Sequence, residues 1–165
     1  MNNISKKQLK ESLSEFIDAA DQAELEVMNS VLTGVSNKKE KNIATYINAL
    51  FHFETHYEEG KQSLEIIMPN EQIVMNSLDM THGGVTATLL DTAMGTLVNK
   101  VLPEGKKAVT TEIKVNYLAP GKGKYLRTKA NIVQIGSKIA FCDGQVFRED
   151  GKLAAYGTGS FFIIG

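Results

Sequence analysis

Apolar positions in the first fifty residues recur at helical spacing. Leu9, Leu13, Phe16, Ile17 and Ala20 follow "SKKQ" at Ser5–Gln8, which has the spacing of a capping box. "DQAE" at Asp21–Glu24 is a second box, so the pattern predicts a helix break near residue 20. Gly34 predicts a helix stop, and "NKKE" at Asn37–Glu40 predicts the start of a third short helix carrying Ile43, Tyr46, Ile47 and Leu50.

The period then changes to two. "LFHFETHY" and "QSLEIIMP" flank "EEGK" and predict a hairpin, with His52 and His56 alternating with Phe51 and Phe53. "QIVMNSLDMT" reads as an irregular connection. A long helix is predicted from about Gly83 to about Val101, closed by Pro103 and Gly105. Four strand-like runs follow: "AVTTEIKVNYL", "KYLRTKANIVQI", "KIAFCDGQVFR" and "LAAYGTGSFFII", separated by turn chemistry at "APGKG", "GS" and "EDG". They read as an antiparallel meander with one buried face. Strands segregated from one long helix argue for an α+β fold in which the sheet wraps that helix. The organisation expected is a helical extension over residues 1–45 and a main domain over 46–165.

On a helical wheel the long helix has two faces. Leu90, Ala93, Met94, Leu97, Val98 and Val101 form a broad apolar stripe suited to the sheet. Gly84, Ala87, Thr88, Asp91 and Gly95 form a narrow face of small residues around one carboxylate. A carboxylate there is costly to bury unpaired and lies too far into the helix to cap it, which makes Asp91 a functional candidate. The helix opens on His82, Gly83 and Gly84, where unpaired backbone N–H groups and the dipole favour a negative ligand such as the oxyanion of an acyl transfer. Asp91 stands eight residues beyond Gly83, about 12 Å along the axis. If both act on one carbonyl, the carboxylate must come from a second copy of the helix, as in a two-fold dimer.

Asn76, His82-Gly83-Gly84, Leu90-Asp91 and Gly95 form the pattern N-x5-HGG-x6-LD-x3-G. This resembles the hotdog-fold acyl-CoA thioesterases of the phenylacetyl-CoA thioesterase-like family. The resemblance spans roughly residues 50–165 and includes "TTEIKVNYLAPGKG" and "DGQVFREDGKLAAYGTGSFF". It implies an antiparallel sheet around a central helix, dimers or tetramers, and hydrolysis of acyl-CoA. By position it implies Asp91 as general base or nucleophile, Gly83 aided by His82 as the group polarising the carbonyl, and Asn76 holding water or carbonyl. It implies a strand hydroxyl assisting, with Thr110 the better match and Thr111 the fallback. Gly84, Thr111, Ser137 and Lys138 are the expected substrate contacts, the last two towards CoA.

Composition changes this picture little. The chain has 165 residues and a formal net charge of −1, which gives no reason to expect nucleic acid or an anionic membrane as partner. The single cysteine, Cys142, excludes an intrachain disulfide, reads as a small core residue, and fits a cytoplasmic setting. "MNNISKKQLKESLSEF" lacks the apolar run of a signal peptide, and no stretch approaches a membrane span. Three scattered histidines and one cysteine make no metal-ligand cluster, so no metal or cofactor is expected, CoA entering only as part of the substrate. "GTGS" lacks the following helix of a phosphate loop. The alternatives to a hydrolase are a non-catalytic acyl-ligand module on the same fold and a hotdog dehydratase. The dehydratase's usual histidine–carboxylate motif is absent.

Overall fold

The computed structural model describes residues 3–58 and 60–165. Met1 and Asn2, and Glu59 of the "EEGK" turn, lie outside the described residues. The chain divides into two compact units between Leu50 and Phe51, five residues beyond the boundary read from the sequence.

The first unit is helical. α1 (Lys6–Ala19) starts at a capping box in which Ser5 Oγ accepts from Gln8 N at 3.2 Å and Gln8 Oε1 accepts from Ser5 N at 3.0 Å. Asp21 and Glu24 make the same reciprocal pair at the start of α2 (Gln22–Glu40), so the break at residue 20 is present. Two expectations fail here. Gly34 does not stop α2 but lies inside it, buried, and Asn37–Glu40 form its last turn, where Lys38 and Lys39 suit the negative end of the dipole. Gly34 is small for packing: a Cβ there would stand 2.7 Å from the Ala49 carbonyl oxygen of α3 (Tyr46–Leu50). Thr45 caps α3, its Oγ1 accepting from Asn48 N at 3.1 Å.

The second unit carries the sheet. β1 (Glu54–Glu58) and β2 (Ser63–Pro69) form the expected hairpin. β1 begins later than its alternation suggests, because His52 takes a left-handed φ of 50° and ends the strand geometry there. Only His56 of the two histidines is on the strand, while Phe51 and Phe53 pack against the core. A 3-10 turn (Gln72–Val74) and a bridge between Met75 and Thr81 order the connection to α4 (Gly83–Val101). Then come β3 (Lys107–Tyr117), β4 (Tyr125–Ile135), β5 (Ile139–Arg148) and β6 (Leu153–Ile164).

These strands make one antiparallel sheet in the order β1-β2-β4-β5-β6-β3. The four-strand meander is thereby corrected. β4, β5 and β6 follow one another, but β3 crosses over to pair with β6, leaving β2 beside β4. α4 packs on this sheet and buries Leu89, Leu90, Ala93, Met94, Leu97 and Val98 among Leu64, Ile66, Leu126, Val146 and Phe161. Each fully buried leucine or valine contributes roughly 1.5–3 kcal/mol. Glycines let the helix settle. A Cβ on Gly144 would meet Leu90 Cδ2 at 2.7 Å, and one on Gly159 would meet Met94 Cε at 3.2 Å. "GTGS" is therefore part of a strand floor beneath the helix. No helix among the described residues is long and apolar enough to cross a membrane.

Candidate active site

The segment before α4 is pinned at several points. Asn76 N donates to Met80 O at 2.8 Å, and Asn76 Oδ1 accepts from Leu78 N at 2.9 Å, closing a tight turn. Thr81 is buried, its hydroxyl donating to Asn70 Oδ1 at 2.8 Å, and His82 N donates to Val74 O at 2.8 Å. His82 then serves as N-cap, its Nδ1 accepting from Gly84 N at 2.9 Å. A backbone N–H can only donate, so in the neutral ring the proton sits on the exposed side, at Nε2. Gly84's N–H is spent on this cap. Gly83's N–H, at the first helical position, is one of the donors a helix leaves without an intrahelical partner.

Tyr117 completes this end and was not singled out from sequence. Its hydroxyl donates to Gly83 O at 2.7 Å, and its ring lies 3.5 Å from where a Gly83 side chain would begin. A signal existed: Ile113 and Val115 pack against the core, and Tyr117 is the next position of that alternation, exposed at the strand end. Gly83, Thr86, Tyr117 and Pro120 line a depression of about 380 Å³.

Asp91 stands on the narrow face of α4, half-buried. The Thr110 hydroxyl donates to its Oδ1 at 2.8 Å. The two line an open cleft of about 490 Å³ with Thr92, Gly95, Thr96 and Asn99. Gly95 is small for a second reason, since a Cβ there would stand 3.3 Å from the Phe161 ring. Thr110 and Thr111 part company at a β-bulge, where the register with β6 shifts between Thr110 and Glu112. Thr110 turns to Asp91, whereas Thr111 Oγ1 lies 2.9 Å from Ser160 Oγ and 3.0 Å from Ser160 O.

Within one chain the structure brings together Asp91 with Thr110, and His82 with Gly83 and Gly84. The two depressions share no lining residue, and Asn76 lines neither of them. Ser137 and Lys138 occupy the exposed β4–β5 turn, where Lys138 O accepts from Ile163 N at 2.8 Å, and they too line neither depression. Cys142 is buried, and burial, with Asp143 beside it, pushes its thiol up to about 12, so it is no nucleophile at neutral pH.

Comparison with known proteins follows the same lines. The Thioesterase superfamily model matches residues 78–155. The BH2602 protein of Bacillus halodurans, whose crystal structure contains CoA, is 41% identical over 93% of this chain and 99% of its own, with a TM-score of 0.85. The thioesterase HI1161 of Haemophilus influenzae is 21% identical, covers 77% of this chain and 88% of its own, and has a TM-score of 0.72, a likeness of fold. Acyl-coenzyme A thioesterase 13 of Mus musculus is 32% identical over 92 residues, which are 54% of this chain and 65% of that protein. The match to "Putative esterase F42H10.6" of Caenorhabditis elegans is 34% identical over 59% of this chain and takes in 57% of that protein. The chain thus spans less than two thirds of the length of these curated relatives. With a six-stranded antiparallel sheet packed on one long helix, and with a relative alike over nearly its whole length, the chain belongs to the thioesterase superfamily and has the hotdog fold.

Proposed function

We propose that this protein hydrolyses acyl-CoA thioesters to the free acid and CoA, at sites built between two copies of the chain. The observation that carries the reading is the half-buried carboxylate of Asp91, midway along an apolar helix, held by Thr110 at 2.8 Å in an open cleft. The names of two relatives support the substrate class: acyl-coenzyme A thioesterase 13 and the medium/long-chain acyl-CoA thioesterase YigI of Salmonella typhimurium. So does the CoA in the Bacillus halodurans structure.

In this reading the Gly83 N–H and His82 Nε2–H of one copy receive the thioester oxygen, and Asp91 comes from the other copy. As general base, the carboxylate takes a proton from water while the water oxygen bonds to the acyl carbon. Negative charge gathers on the carbonyl oxygen beside the two donors. The C–S bond then breaks, and CoA departs as a thiolate that takes up a proton. As nucleophile, the carboxylate itself adds to the acyl carbon and expels CoA, and water then cleaves the resulting anhydride. Thr110 leaves the second carboxylate oxygen for this work. Asn76 steadies water or carbonyl. Gly84, Thr111, Ser137 and Lys138 meet the rest of the substrate, the last two at CoA.

The test is Asp91→Asn, assayed by thiol release from acetyl-, hexanoyl-, palmitoyl- and phenylacetyl-CoA. Loss of a positioned base predicts a fall in kcat of about 100-fold or more. Unchanged turnover removes Asp91 from the mechanism. Acyl-CoA binding without hydrolysis by the wild-type protein across the panel makes the chain a binding module.

A further inference from the structure

The two glycines that open α4 are held at their polar ends by side chains. The peptide unit joining Gly83 to Gly84 has its carbonyl bound by the Tyr117 hydroxyl at 2.7 Å and its N–H bound by His82 Nδ1 at 2.9 Å. The preceding unit, joining His82 to Gly83, has its carbonyl bound by Thr86 N at 3.0 Å. The remaining polar end of these two units is the Gly83 N–H. Consecutive glycines have wide backbone freedom and no side chain to anchor them. The Gly83 N–H shares a planar unit with the carbonyl that Thr86 holds, and the two side-chain bonds on the next unit keep the Gly83 torsions from shifting it.

We propose that Tyr117 is a positioning residue: with His82 it clamps the Gly83–Gly84 peptide and so aims the Gly83 N–H at the thioester oxygen. The role rests on the hydrolase reading above, and it acts through Gly83. Tyr117 suits it chemically. Ile113 and Val115, on the same side of β3, pack against the core, while Tyr117 adds a hydroxyl at the end of that row, at the helix start. Its ring, 3.5 Å from the Gly83 side-chain position, also limits how far the glycine can shift. A preorganised donor stabilises charge only if it is aimed before the reaction, and a displacement near 1 Å costs up to about 100-fold in rate. The Tyr117 hydroxyl is bound to a backbone carbonyl, so its loss is expected to change the chemical step more than binding.

Tyr117→Phe keeps the ring and removes the hydroxyl. Steady-state kinetics on the acyl-CoA of the panel that the wild-type protein turns over fastest, expressed per folded chain from circular dichroism, give the first readout. The expected result is a fall in kcat of about tenfold or more with KM within about twofold. The second readout is hydrogen exchange at the Gly84 amide in protein labelled with 15N-glycine, which is expected to speed up in the variant. An unchanged kcat, a rise in KM alone, or a Gly84 exchange rate equal to wild type overturns the clamp. Asp91→Asn run alongside separates the two readings. If it is inactive while Tyr117→Phe keeps full kcat, only the clamp falls. If it retains turnover, Asp91 leaves the mechanism, and if the wild-type protein hydrolyses no acyl-CoA of the panel, the hydrolase reading falls and takes the clamp with it.

Discussion

The hydroxyl of Thr110 fixes one oxygen of the Asp91 carboxylate, and its removal isolates that contact. Thr110→Val keeps the β-branched shape of the strand residue. It is expected to lower kcat roughly tenfold, because a charged hydrogen bond of about 1.5–3 kcal/mol is lost and the carboxylate swings. Steady-state kinetics on the same acyl-CoA panel check this, and a kcat equal to wild type would show that Asp91 needs no such partner. Asp91 stands out in the sequence as a candidate, since a carboxylate among Gly84, Ala87, Thr88 and Gly95 is costly to bury unpaired and lies too far into the helix to cap it. The choice between Thr110 and Thr111 rested on position in related chains. In a regular strand neighbours face opposite sides, but the bulge that separates these two depends on pairing with β6, which no local pattern reports. Tyr117 was hidden for a different cause: it acts on a backbone carbonyl, and residue type alone does not show which carbonyl a hydroxyl reaches.

Among the elements, the boundaries of α4 and the four strand runs after it were legible because strong periodicity and turn residues agree there. The place of β3 was not, since its pairing with β6 is a long-range contact that local alternation does not encode. Gly34 shows the same limit. Glycine before an "NKKE" motif reads as a helix stop, yet α2 runs through it because α3 lies against that point. Gly34→Ala decides between two effects. Helix propensity favours alanine by about 1 kcal/mol. Against this, the new methyl would stand 2.7 Å from Ala49 O and 3.0 Å from Leu50 Cα, backbone atoms that cannot rotate aside. Overpacking of this kind costs about 1–3 kcal/mol, so the variant is expected to loosen α3 from α2. Hydrogen exchange of the Tyr46–Leu50 amides in the full chain is the measurement. Faster exchange is expected, and slower exchange would mean that propensity wins.

At the scale of the molecule, the two halves of the proposed chemistry lie apart on one chain. Gly83 and Asp91 sit eight positions apart on α4, about 12 Å of axial rise, and their depressions share no lining residue. The account therefore rests on a site completed by a second copy, and complementation tests it most directly. Gly83→Pro removes the N–H at a helix position where proline is well tolerated, and Asp91→Asn removes the base. Each variant alone is expected to be nearly inactive. Co-expressed in equal amounts, half of the dimers pair one of each, and in those pairs one of the two sites carries neither change. Turnover should then recover to about a quarter of the wild-type value. A co-expressed mixture no more active than the two single variants would contradict a site shared between copies.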